Sequence, residues 1–159
     1  MKPSPSKLAT AGRAAAPGQP VAAAVDYRLA RAATLRAWRS GQLGRHEVCD
    51  AQRELQRNAE FCGQPTGRSC PVCDSEGAVG GLEAERPVSA ANKSGNLVEV
   101  TYVFGSRLPK HGRCVTTRAE MQRLQHRVSV STGYVVEVCT VCGWNHLVRR
   151  FTLGGRRSA

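Results

Sequence analysis

Apolar and polar positions follow two rhythms along this chain, and they divide it in half. In LVEVTYVFG, Val98, Val100, Tyr102 and Phe104 point one way while Leu97, Glu99, Thr101 and Val103 point the other, the period-two pattern of a strand. TGYVVEV predicts a second strand that runs straight into Cys139, and WNHLVRRFTL predicts a last one. In that last strand Leu147, Phe151 and Leu153 are expected inward, with Asn145 and a misfitting Arg149 in the same phase. Trp144, His146, Val148, Arg150 and Thr152 take the other face. Pro109 and Gly112 in RLPKHGR supply a turn, after which CVTT returns as a short strand. Thr117 and Glu120 have capping-box spacing and predict a short helix over 118–127.

The first half keeps a helical rhythm. VDYRLARAATLRAWRSG predicts a helix over 27–40 with Tyr27, Leu29, Ala30, Ala33, Ala37 and Trp38 on its apolar face. Arg28, Arg31, Arg36 and Arg39 gather opposite, within an arc of roughly 140°. Asp26 is placed to cap its start and Gly41 its end. Val48, Ala51, Leu55, Ala59 and Cys62 then recur at three- and four-residue steps, predicting a short helix over 45–49 and a longer one over 51–62. Asp50 is the expected N-cap of the second and Gly63 its stop. The outline resembles a helix-turn-helix, but a helical hairpin packed on a sheet fits it better.

Two stretches lack either rhythm. Residues 1–25 are Ala, Pro, Ser and Gly with scattered Lys and Arg, too little apolar surface to offset the entropy of ordering. They are expected to be a disordered basic tail, or an extension ahead of a translation start near Val25. Residues 75–96 are expected to be a flexible insertion between strands. The expected organisation is one domain over 26–155, helical over 26–63 and ribbon-like over 64–155, with a basic tail at 156–159. The fold class is α+β: an N-terminal helical hairpin or small bundle packed with a zinc-ribbon-like antiparallel β-sheet.

Composition changes this picture in one respect. Aromatic residues make up only 5% of the 159-residue chain, so a large apolar core is doubtful and a metal or disulfides are expected to help hold the fold. Seven cysteines are present, an odd number, and no continuous apolar stretch near the start resembles a secretory signal. A cytoplasmic protein is expected, where paired cysteines hold metal more often than they form disulfides. No apolar run approaches the ~20 residues of a membrane helix.

Cys70-Pro-Val-Cys73 and Cys139-Thr-Val-Cys142 carry the chemistry. Two residues between sulfurs let a tight turn present both thiolates to one ion, and two such turns complete a tetrahedral site. Structural Zn2+ is the expected cofactor, with rubredoxin-like iron sharing the same ligands. A redox pair needs a CxxC that opens a helix after a strand, whereas the second pair is followed by a strand. Gly143 suits the positive φ of a knuckle turn, and Asp74 holds the matching place in the first pair. His146 is an alternative ligand or a partner of the ligands. Cys49, Cys62 and Cys114 lack a partner at ligand spacing, and Cys62 is expected to be a small buried residue.

Charge points to partners. The formal net charge is +11, which favours nucleic acid or an acidic protein surface. A composition rich in Arg and Ala without any ligand is the plain alternative. Candidate binding residues are Arg28, Arg31, Arg36 and Arg39 on the first helix, with Trp144, His146 and Arg150 as an aromatic and basic surface. Trp144 has a second reading, as cover for the metal knuckle. No paired carboxylates, Gly-rich phosphate loop or activated nucleophile stands in context, so no enzyme is expected. The expected function is a zinc-stabilised basic module contacting nucleic acid or a nucleoprotein machine such as RNA polymerase or the ribosome. The alternative is a protein-interaction adaptor with purely structural zinc.

At CPVC, CTVCGWNHL and VDYRLARAATLRAWRSGQLGRHEVCDA the sequence resembles a family of small actinobacterial proteins of unknown function with a zinc-ribbon-like pattern. The resemblance covers about residues 25–155. It implies the domain limits and a cytosolic bacterial origin, and it brings no catalytic residues.

Overall fold

The computed structural model describes residues 24–77 and 95–155. The basic tails and most of the 75–96 insertion lie outside the described residues. Among those described, the chain order is β1 (Val25–Asp26), α1 (Arg28–Arg39), α2 (Arg45–Val48), α3 (Arg53–Cys62), β2 (Gln64–Ser69) and α4 (Pro71–Gly77), followed by β3 (Asn96–Gly105), β4 (Arg113–Val115), α5 (Arg118–Gln125), β5 (Ser131–Cys139) and β6 (Asn145–Leu153). The α+β class stands.

The strands form one antiparallel sheet in the order β1-β6-β5-β3-β2, with β4 also on β3. Leu97 faces Cys139 and Phe104 faces Thr132 in an unbroken β3–β5 register. Side-chain alternation then gives the sheet two faces. One carries Val98, Val100, Tyr102 and Phe104 with Val138, Val136, Tyr134 and Thr132; the other carries Leu97, Glu99, Thr101 and Val103 with Cys139, Glu137, Val135 and Gly133.

β6 breaks the expected alternation. Val136 pairs with Leu147 but Val135 pairs with Arg149, so Val148 is the extra residue of a β-bulge. Leu147 therefore shares the face of Tyr134, while Phe151 and Leu153 point into the opposite core. Arg149 pairs with Val135 and stays in phase with Phe151 and Leu153, so the bulge moves Leu147 out of that face and leaves Arg149 in it.

The helices divide between the faces. α3 lays Ala59 and Leu55 on Val100, Val138 and Val136, with Ala51 completing the cluster. α1 buries Leu35 against Leu97, Cys139 and Trp144 on the other face, and α5 adds Met121 and Leu124 to Val103, Val135, Phe151 and Leu153. A helical hairpin is thus not formed, because the chain from α1 to α3 passes around one end of the sheet. There Ala51 N–H donates to Gly143 O at 3.0 Å.

The apolar face of α1 is also rotated from expectation. Arg31, Thr34, Leu35 and Trp38 are its inward stripe, whereas Leu29 is 87% exposed and Ala30 and Ala33 are exposed. Asp26 accepts from the Arg28 N–H at 2.7 Å, with Tyr27 at the N-cap, and Gly41 lies past the C-cap at φ 79°. α3 begins from Gln52, because the Asp50 carboxylate instead accepts from Asn145 Nδ2 at 2.9 Å. The Thr117 cap of α5 forms as expected, its hydroxyl accepting from Glu120 N–H at 3.2 Å.

Candidate metal centre

The sulfurs of Cys70, Cys73, Cys139 and Cys142 all lie within 4.8 Å of one another. Cys70 and Cys142 are 3.6 Å apart, and Cys73 and Cys139 are 3.9 Å apart. A tetrahedron with metal–sulfur bonds of about 2.3 Å has edges of about 3.8 Å, so the cluster fits one ion with no rearrangement of its frame. Cys70 and Cys139 are fully buried. The four residues offer thiolate chemistry alone, which suits zinc or iron and leaves no fourth position for water.

The two pairs reach the centre from different local structures. Cys139 ends β5, and the chain turns back into β6 through Gly143 at φ 86°. Gly143 N–H donates to Cys139 O at 2.9 Å and Trp144 N–H to Cys142 Sγ at 3.3 Å. A Cβ at Gly143 would stand 3.0 Å from Cys49 O, so close approach as well as backbone conformation requires glycine. Cys70, in contrast, follows β2, and Cys73 lies in the first turn of α4. Asp74 N–H makes the same bond to the carbonyl four residues back, at 3.0 Å to Cys70 O. The chain then continues as helix, so Asp74 needs no positive φ, and its carboxylate accepts from the Ser69 hydroxyl. A strand-then-helix CxxC is the frame of a redox pair, but here each sulfur meets sulfurs of the other motif.

Gly95 closes the centre from the far side of the insertion. It stands at φ 57°, its carbonyl accepts from Cys70 N–H at 2.5 Å, and a Cβ there would lie 2.9 Å from Cys73 Cβ. Nothing in the composition of the insertion singled it out.

Crowded sulfurs need positive charge. Hydrogen bonding with Cys139 and Cys142 and then burial push the Cys70 thiol up, and burial followed by the Cys139 and Cys142 charges pushes Cys73 up to about 12. Cys142 alone is held down, by bonds from Cys139, Cys70 and the Trp144 N–H. A divalent cation held by the four sulfurs would favour their thiolate forms.

Cys49 is a residue that spacing did not reveal. Its sulfur lies 3.5 Å from Cys142 Sγ, yet it is outside the group of four. Burial, followed by its bond to Cys142, pushes its thiol up to about 12. It arrives through the chain path between α2 and α3. Cys62, the last residue of α3, and Cys114 on β4 are half-buried and take no part.

A buried carboxylate anchors α1 beside the centre. Glu137 is fully buried. It accepts from Arg31 Nε at 2.5 Å, Arg68 at 3.2 Å and Trp144 Nε1 at 3.0 Å. Arg68 also reaches Glu99 at 3.4 Å, so one guanidinium bridges two carboxylates that face each other across β3 and β5.

This settles where the candidate binding residues stand. Trp144 is fully buried, stacked on His146 at 6.0 Å with the Arg31 guanidinium 5.8 Å from its ring centre. His146 turns its ring nitrogens to Leu147 O at 2.7 Å and Thr34 Oγ1 at 3.5 Å. Trp144, His146 and Arg150 therefore do not form one aromatic and basic surface, because the indole is covered and the bulge puts Arg150 on the opposite face from His146. Arg31 is spent on Glu137. Arg28, Arg36, Arg39 and Arg150 remain exposed.

A family of unknown function, DUF5318, matches residues 20–80 and 81–159 of the chain. The uncharacterized proteins Mb0050 of Mycobacterium bovis and Rv0049 of Mycobacterium tuberculosis are each 36% identical over 135 residues, covering 85% of this chain and 85% of the relative. No solved structure matches.

Proposed function

This chain belongs to the DUF5318 family of unknown function, and from its geometry we propose a zinc-stabilised basic binding module that contacts nucleic acid. The observation that carries the metal half is the convergence of four sulfurs from two motifs far apart in sequence. Cys70, Cys73, Cys139 and Cys142 would hold the ion, tying α4 and the β5–β6 turn together; its role is structural, since four thiolates fill a tetrahedral zinc. No catalytic activity is assigned to the centre.

The nucleic-acid half is supported by the net charge of +11 and by the outward Arg28, Arg36 and Arg39 of α1. Among the described residues no helix is long and apolar enough to cross a membrane. Such a charged surface attracts phosphates by releasing their counterions, so affinity falls steeply with salt.

Fluorescence anisotropy of labelled DNA and RNA oligonucleotides, titrated at rising salt, tests this reading. We expect binding at low salt that weakens when Arg28, Arg36 and Arg39 are replaced by Ala. No binding at low salt refutes the nucleic-acid contact, and a lysate partner retained after nuclease would then favour an adaptor. Mass spectrometry of the native chain is expected to show one zinc per chain, lost in Cys70→Ser with Cys73→Ser.

A further inference from the structure

α3 covers only part of its sheet face. Val98, Val100, Val136 and Val138 lie beneath or beside it, but the row beyond is only partly covered, with Tyr102 and Tyr134 half-buried and Phe104 exposed. There Tyr102 faces Tyr134 across β3 and β5, and Tyr134 faces Arg150 across β5 and β6. Phe104 sits two residues along β3 and meets Tyr134 edge to face at 5.6 Å. These rings, with Leu147 and His111, line a shallow groove of about 340 Å³.

The row has the make-up of a stacking surface. Adjacent strands are about 4.8 Å apart, so Tyr102, Tyr134 and Arg150, register neighbours on three strands, form one row of two rings and a guanidinium. Phe104 is 37% exposed although aromatic. Asn58 Nδ2 donates to Tyr102 Oη at 2.8 Å, which fixes that ring from the side of α3. Arg150 is the exposed cation paired with Tyr134 across β5 and β6, and Lys110 is an exposed chain neighbour of the lining residue His111. Glu54 is the carboxylate on its rim.

We propose that Tyr102, Phe104 and Tyr134, with Arg150, form a platform on which unpaired bases of single-stranded nucleic acid stack. The proposal rests on the nucleic-acid reading above and adds the surface and the strand state. Bases in a duplex are already stacked on one another, so they offer no free face to these rings. Single strands should therefore bind in preference to duplex, with modest dependence on base sequence.

The test uses the full-length metal-loaded chain and labelled 20-nucleotide single strands, with the matching duplex as control. Phe104→Ala and Tyr134→Ala are each expected to weaken single-strand affinity about 5- to 100-fold, to leave duplex affinity unchanged and to retain the metal. Tyr134→Phe keeps a flat ring and is expected to bind as the parent does. Single-strand affinity unchanged in both Ala variants, while Arg28→Ala with Arg36→Ala and Arg39→Ala reduces it, overturns the platform and leaves the nucleic-acid reading intact. Equal affinity for duplex and single strand, lost only when Lys2, Lys7 and Arg13 are replaced by Ala, also overturns it and moves the contact to the N-terminal segment. A parent chain that binds neither form overturns both readings.

Discussion

The two ends of the sheet are held by different chemistry. At the end beyond α5, Val103, Val115, Met121, Leu124, Val135, Val148, Phe151 and Leu153 form an ordinary apolar core. At the other end, Leu35, Val48, Val72, Leu97 and Trp144 surround Cys70 and Cys139, with Cys73, Cys142 and Cys49 at the margin. One end is closed by burial of hydrocarbon, the other by sulfurs that converge on a point. A chain with few aromatic residues completes one core conventionally, and at the other end it gathers four cysteines placed to hold a metal ion, whose bonds would replace missing apolar volume.

Four substitutions or treatments separate the ends, in falling order of effect. Removing the ion with a chelator should be the largest, since the binding energy of a structural zinc site is about 10–16 kcal/mol in small domains. Hydrogen exchange is expected to show α1, α4 and the β5–β6 turn losing protection first, with the α5 end retaining it longer. Uniform loss would mean that the ends are one cooperative unit. Phe151→Ala should cost about 4 kcal/mol from the lost burial and the cavity, seen as a lower denaturation midpoint with metal content unchanged.

Arg31→Ala should cost about 3 kcal/mol, because Glu137 remains buried with Arg68 as its remaining arginine partner. A matching drop in Glu137→Gln, with no further loss in the double variant, would show that the two act as a pair. Cys49→Ser should be smallest, within about 0.5 kcal/mol and with the metal retained. Loss of metal in that variant would make Cys49 a ligand and redraw the centre.

Much of this was legible in the sequence, for reasons that differ by element. The strands at 97–105 and 131–139 were plain because each has one face against α3 and the other against α1 or α5, which enforces strict alternation. α3 was legible because Ala51, Leu55 and Ala59 all pack on Val100 and Val138, while Val48 of α2 continues their spacing but packs with Leu35 and Trp144. The α1 face was misread because its inward stripe includes Arg31 and Thr34, polar groups whose partners, Glu137 and His146, are more than a hundred residues away. The face of Arg150 was misread because a bulge leaves no mark in composition.

The sequence alone determined which four cysteines are available to a metal ion, since two CxxC motifs offer four thiol side chains at ligand spacing. It also determined the α+β class, because hydrophobic period follows directly from backbone geometry. Tertiary structure decided what those motifs became. The same spacing opens a helix at Cys70 and closes a hairpin at Cys139, because Val72 is buried in the core while Gly143 must pass beneath the Cys49 carbonyl. Tertiary structure alone also decided which aromatics meet solvent. Trp144 is sealed under α1, whereas Phe104 is exposed and Tyr102 and Tyr134 are half-buried where α3 covers only part of their face.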